Sequence, residues 1–117
     1  MKLLGLAILA VCLAACGSSG GAKTTTKTLS GTVGPGFTIG LTEGGKKVTT
    51  VKAGSYVIEI DDKGDIHNFH LTGPGVDEKT SVPAKTAATW KVTLAQGTYS
   101  YVCDPHSTLM KGTFTVT

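Results

Sequence analysis

The sequence predicts an all-β protein that folds as a sandwich of seven or eight strands. The 117-residue chain contains 16 glycines, threonine recurs throughout, and helix-forming runs are almost absent beyond the N-terminus. Short apolar segments alternate with turn sequences rich in glycine, proline and aspartate, which is the spacing typical of a β-sandwich. The length predicts one domain.

Each predicted strand is a short run in which apolar and polar residues alternate between turns. The runs are residues 29–33, 37–41, 48–51, 56–60, 66–72, 88–94, 99–102 and 112–117. Residues 43–46 are a candidate hairpin turn. Residues 76–86 lack periodicity and are predicted to form a surface loop. Trp90, Tyr99 and Tyr101 are predicted core residues, and Tyr99 is a candidate for the tyrosine corner of a sandwich.

The N-terminus has the pattern of an export signal. Lys2 precedes an apolar run of about a dozen residues, which is too short to be a good membrane span. The run ends in Leu13-Ala14-Ala15-Cys16, which resembles the lipobox of bacterial lipoproteins. We therefore expect residues 1–15 to be a lipoprotein signal peptide and Cys16 to carry the lipid that binds the protein to a membrane. Ordinary signal cleavage with full secretion is the alternative.

Residues 16–27 contain no large apolar side chain, so they are predicted to form a flexible linker before a domain at residues 28–117. The formal net charge is only +3 and arginine is absent, which argues against nucleic acid as a partner. Of the three cysteines, only Cys103 lies in the predicted domain, so a disulfide framework is excluded. A single thiol in an exported protein needs another role, and metal ligation is one.

The segment Cys103-Asp104-Pro105-His106-Ser107-Thr108-Leu109-Met110 lies between the last two predicted strands. A thiolate, an imidazole and a thioether in one loop are the donors of a blue-copper site, which also needs a second imidazole. His67 and His70 are the candidates, and because they are three apart on a predicted strand they face opposite sides. Asn68, which could hydrogen-bond to backbone beside Cys103, favours His67.

Other roles for this loop are weaker. Cys103 and His106 could form a nucleophile–base pair, but no third group orients them and no helix N-terminus lowers the thiol pKa. Zinc gains little from a thioether ligand such as Met110. A buried Cys103 could also act only as a small hydrophobic residue.

The pair of motifs Ile66-His67-Asn68 and Cys103-x-x-His106-x-x-x-Met110 resembles the cupredoxins, small blue-copper proteins such as plastocyanin, amicyanin, pseudoazurin and azurin. The resemblance covers most of residues 28–117 and implies a Greek-key β-sandwich. It also implies one copper ion, cycling between Cu(I) and Cu(II), with His67, Cys103, His106 and Met110 as ligands and Asn68 beside them. His70 resembles a second histidine of amicyanin that is not a ligand.

The resemblance implies a one-electron carrier rather than an enzyme, with His106 as the electron port. Pro105 and Leu109, with Pro35 or Pro74, would form a small patch for transient redox partners. We expect a monomer outside the cytoplasm, held to a membrane by its N-terminal lipid. An extracytoplasmic protein that stores or delivers copper with the same ligands is the main alternative, and a metal-free structural module is the other.

Overall fold

The computed structural model describes residues 26–85 and 87–117, which form two five-stranded sheets packed as a sandwich. The predicted signal peptide, Cys16 and most of the predicted linker lie outside these residues. The strands are β1 (Lys27–Val33), β2 (Ile39–Glu43), β3 (Lys46–Lys47), β4 (Thr50–Val51), β5 (Gly54–Asp62), β6 (His70–Gly73), β7 (Val76–Lys79), β8 (Ala87–Leu94), β9 (Gly97–Val102) and β10 (Lys111–Val116).

One sheet has the order β3-β2-β1-β5-β8 and the other has the order β4-β10-β9-β6-β7. Most neighbours are antiparallel, but β1 runs parallel to β5 and β10 runs parallel to β4. The all-β sandwich is therefore confirmed. The strand count exceeds the predicted seven or eight partly because the predicted strand at residues 48–51 is replaced by two short strands, β3 and β4, that belong to different sheets.

The prediction of a loop over residues 76–86 is wrong at its start, where β7 pairs with β6. Gly73 lies opposite Val76, so Pro74 and Gly75 form a two-residue hairpin turn. Gly75 has a φ of 69°, a conformation that glycine adopts at little cost. Only Val76 is buried in β7, so this edge strand shows no alternation in its sequence.

The predicted strand at residues 66–72 begins only at His70. His67, Asn68 and Phe69 are consecutive and all buried. A regular strand turns alternate side chains to opposite faces, so three buried residues in succession do not fit one half-exposed strand. The structure instead places them in the connection that leads from β5 into β6.

Aromatic rings fill the space between the sheets. Phe69 stacks on Tyr101 and Tyr99 stacks on Phe114, with centroid separations of 5.4 and 5.2 Å. The Tyr99 hydroxyl donates to the carbonyl of Ala95, four residues upstream, at 3.0 Å, which is the contact of a tyrosine corner. Trp90 was predicted to be core but is only partly buried against it.

Three connections meet at one end of this sandwich. Val33 and Asp62, at the ends of β1 and β5, lie side by side. Residues 34–38, 63–69 and 103–110 leave β1, β5 and β9 at this end and bring most of the sequence-predicted site residues together. Among the described residues, no helix is both long and apolar enough to cross a membrane.

Candidate metal centre

The loop from Cys103 to Met110 is closed at its base by backbone pairing. The Cys103 N–H donates to the Met110 carbonyl at 3.0 Å, directly beside the last rung of the β9–β10 ladder. Both side chains are fully buried. The strands therefore hold the thiol and the thioether inside the end of the core.

A 3-10 helix at Asp104–His106 brings the imidazole of His106 back over the thiol. The His106 N–H donates to the Cys103 carbonyl at 3.0 Å, and this i to i+3 bond tightens the turn. Pro105 lies at the start of the helix, where its missing N–H costs nothing. The His106 Nδ1 lies 3.5 Å from the Cys103 Sγ as a result.

His67 approaches the same sulfur from the other side of the site. Its Nδ1 lies 3.6 Å from the Cys103 Sγ and 3.2 Å from the Nδ1 of His106. Two glycines make room for the buried ring: a Cβ on Gly64 would lie 2.7 Å from the His67 Cδ2, and one on Gly34 would lie 3.3 Å away. Larger residues at either position would displace the imidazole.

The three donor atoms form a nearly equilateral triangle. Its sides are 3.2, 3.5 and 3.6 Å, so the point equidistant from the three atoms is about 2.0 Å from each, close to the 2.0–2.3 Å expected of metal–imidazole and metal–thiolate bonds. A thiolate with two imidazoles in one plane is the equatorial donor set of a blue-copper site. These residues thus fit a copper ion in size and in chemistry, with Met110 buried in the same loop as the thioether donor.

Asn68 ties the two ligand-bearing connections together. Its Oδ1 accepts the Asp104 N–H at 2.8 Å, and its Nδ2 donates to the Asp104 carboxylate at 2.7 Å. Asn68 is itself buried and follows His67 directly, while Asp104 follows Cys103. These hydrogen bonds between Asn68 and Asp104 therefore fix the segment that carries His67 to the segment that carries Cys103.

His70 takes no part in the donor cluster. Its Nδ1 contacts Asp104 at 2.9 Å and its Nε2 contacts Asp77 at 2.6 Å, so both ring nitrogens are occupied. Partial burial alone would lower the pKa of His70, but the hydrogen bonds to the two carboxylates outweigh it and raise that pKa. Burial likewise acts to raise the pKa of Asp104, yet Asn68 and His70 hold it below its usual value.

Two residues at the site were not predicted from the sequence. Phe37, predicted as an ordinary strand residue, places its ring edge-on to His67 and His106 at centroid separations of 5.7 and 5.0 Å. Asp62 is buried at the end of β5, and burial raises its pKa although the hydrogen bond from the Gly64 N–H and the charge of His67 act to lower it. The sequence Gly34-Pro35-Gly36 is typical of a turn, but it does not indicate that Phe37 contacts the imidazoles.

Residues 41–117 match the profile of the family described as copper binding proteins, plastocyanin/azurin family. The match covers both sequence motifs and about two thirds of the chain, and the donor cluster described above lies within it. The chain belongs to this family. Copper is therefore the cofactor, and His67, Cys103, His106 and Met110 are positioned as a type 1 copper site.

Solved structures of other copper proteins share the fold of this plastocyanin/azurin family member. Reduced rusticyanin aligns with a TM-score of 0.60 and 17% identity over 79% of each chain. Auracyanin A of Chloroflexus aurantiacus aligns with a TM-score of 0.55 and 18% identity, covering 77% of this chain and 98% of its own. A chain of a haem-copper terminal oxidase dimer aligns at 0.55 and 17% identity, covering 82% of this chain and 68% of its own. No characterised protein matches at the level of sequence alone.

Proposed function

We propose that this protein carries single electrons at a type 1 copper site that His67, Cys103, His106 and Met110 would hold. The observation that carries the proposal is the convergence of one thiol and two imidazole nitrogens to within 3.6 Å of one another at a buried position. Auracyanin A, which shares the fold, is described as a blue copper protein.

Copper held by these residues would supply a one-electron Cu(I)/Cu(II) couple. The chain supplies rigidity, because the ligands lie on two segments joined by Asn68 and on a loop closed by the Cys103–Met110 backbone bond. Packed ligands move little when the charge on the metal changes. Little movement favours fast electron exchange, which suits an electron carrier.

The electron port in this proposal is His106, which is only half-buried. Three apolar side chains at this end of the sandwich are exposed: Phe37 at 57%, Ile66 at 52% and Leu109 at 71%. Together they form a small patch suited to transient redox partners. Pro74, one of the predicted patch residues, contacts Gly97 at the opposite end of β9 and does not belong to it.

The same proposal places the domain outside the cytoplasm. Its support is the export pattern of residues 1–15 and the lipobox-like sequence before Cys16. A lipid on Cys16 with a flexible segment at residues 16–27 would keep a monomeric domain near membrane-bound partners while leaving it free to turn.

The test is the absorption spectrum of the purified protein after addition of Cu(II). We expect an intense visible thiolate-to-copper band that is lost in Cys103→Ala and retained in His70→Ala. Met110→Leu should keep the colour and raise the reduction potential, because a weak donor that favours Cu(II) has been removed. A folded wild-type sample without the band would refute the proposal. Copper transfer to an apo-acceptor combined with slow electron exchange would instead support copper storage or delivery.

A further inference from the structure

Asp62 is a buried carboxyl group at the copper end of the core. It is the last residue of β5 and faces inward with Ile58 and Ile60, and only 3% of it is exposed. Its neighbour Asp61 faces outward, with a side chain that is 62% exposed. Burying a carboxyl group costs free energy unless hydrogen bonds compensate for lost water, so Asp62 requires an explanation.

The hydrogen bonding of Asp62 is incomplete. Its Oδ1 accepts the Gly64 N–H at 3.1 Å. Its Oδ2 is the only buried side-chain oxygen or nitrogen in residues 26–85 and 87–117 that has no partner. Buried polar atoms in folded proteins are almost always hydrogen-bonded, so the Oδ2 of Asp62 calls for a donor that its own strand and turn do not supply.

His67 is a candidate donor. A Cβ on Gly64 would lie 2.7 Å from the His67 Cδ2 and 3.6 Å from both its Cγ and its Nε2, so the Cδ2 side of the ring faces the turn that Asp62 binds. The other edge carries Nδ1 toward Cys103 and His106. The ring thus lies between the donor cluster and the segment that carries Asp62.

Metal ligation fixes the proton on such a ring. A neutral imidazole that binds a metal through Nδ1 must carry its hydrogen on Nε2. Metal-binding histidines almost always donate that hydrogen to a carboxylate, a carbonyl or a water. The unpaired Oδ2 of Asp62 belongs to the carboxyl group that binds this same turn, on the side of the ring that carries Cδ2.

We propose that Asp62 is the positioning residue for His67, accepting the Nε2–H of the ligand on its Oδ2, either directly or through one water. The proposal rests on the proposed function, because it takes His67 as a copper ligand. A hydrogen bond to a carboxylate makes the imidazole a more basic donor and fixes its orientation. Asp62 therefore stabilises Cu(II) relative to Cu(I) and lowers the reduction potential.

The test uses copper-loaded full-length protein with Asp62→Asn and Asp62→Leu, and Asp61→Asn as the matched control. Asp62→Asn keeps an oxygen for the Gly64 N–H but weakens the acceptor for His67, and Asp62→Leu removes both. We expect the potential to rise in Asp62→Asn and to rise further in Asp62→Leu, with affinity for Cu(II) falling about 10–100-fold in the leucine variant. The Asp61→Asn control, which removes the same charge one residue away, should stay close to the wild type.

A second measurement observes the hydrogen itself. In the diamagnetic Cu(I) protein, the His67 Nε2–H should give a proton–nitrogen NMR signal protected from solvent exchange. That exchange should be at least roughly tenfold faster in Asp62→Leu. A purely structural Asp62 that only holds the Gly64 turn would leave both the potential and the exchange rate of Asp62→Asn equal to those of Asp61→Asn, and the proposal would then be wrong. Absence of the blue band in copper-loaded wild-type protein would refute the proposed function instead, so failure of the Asp62 proposal can be distinguished from failure of the proposed function.

Discussion

Substitution of Asn68 by alanine tests whether the two ligand-bearing segments are tied together by this side chain. The change removes the hydrogen bond from the Asp104 N–H at 2.8 Å and the bond to the Asp104 carboxylate at 2.7 Å. A neutral hydrogen bond contributes about 1 kcal/mol and a bond to a charged group about 1.5–3 kcal/mol. The Asp104 side chain is 46% exposed, so water replaces part of the loss. We therefore expect a decrease of about 2–3 kcal/mol in the free energy of unfolding.

Thermal unfolding of the copper-free protein measures this loss without interference from the metal. For a domain of this size, about 2–3 kcal/mol corresponds to a decrease of roughly 10–20 °C in Tm. Thr72→Ala is the matched control, because Thr72 bonds Ser100 across the same pair of strands, β6 and β9, away from the loop. The control should lose no more than about 1 kcal/mol.

A double-mutant cycle with Asp104→Ala then isolates the interaction itself. Because Asn68 and Asp104 share a direct contact, their effects should not add, and the coupling energy should be about 1–2 kcal/mol. An Asn68→Ala variant that unfolds at the same temperature as Thr72→Ala, with no coupling to Asp104, would refute the tie. The ligands would then be held together by the core alone.

Two further predictions concern the surroundings of the histidines. Gly64→Ala places a methyl group 2.7 Å from the His67 ring, so the free energy of unfolding should fall by about 1–3 kcal/mol and copper binding should weaken. The control is Gly40→Ala, where the nearest atom is 3.9 Å away and neither change is expected. Copper titrations that give the same affinity for the two variants would contradict the prediction. His70 has a raised pKa in the folded protein, so its stabilisation is complete below its unfolded pKa of about 6.5 and is lost as the pH rises through the folded value. The difference in unfolding free energy between wild type and His70→Ala should therefore be larger at acid than at alkaline pH. A difference that does not change with pH would show that the protonation of His70 does not stabilise the fold.

The ligand loop was predictable from sequence because its geometry is local. Cys103 and His106 are three residues apart, and a single 3-10 turn with Pro105 at its start brings their donor atoms together. The choice of His67 over His70 also followed from a short-range signal. Asn68 was expected to bind the backbone beside Cys103, and it accepts the N–H of Asp104.

The rest of the site depends on contacts that no local pattern encodes. Phe37 lies against both imidazoles only because the β1–β2 connection reaches the same end of the sandwich as the ligand loop. Asp62 continues the alternation of β5, and an aspartate at a strand end resembles an exposed turn residue in the sequence, although the structure buries its side chain. Tertiary packing also overrode the first part of the strand predicted at residues 66–72, where His67, Asn68 and Phe69 are buried in succession and the strand begins only at His70.

Burial of the donors bears on the choice between electron transfer and copper delivery. A protein that hands its metal to an acceptor must let the incoming ligand replace its own donors one by one. Cys103 and Met110 are fully buried here and His67 is 2% exposed, so an acceptor could reach the metal only past His106, against which Phe37 packs. The proposed electron carrier needs no such opening, because an electron would leave through the partly exposed ring of His106 while the ligands stay in place. The features that obstruct metal exchange are the same ones that keep the ligands from rearranging during redox change, and both favour the electron carrier.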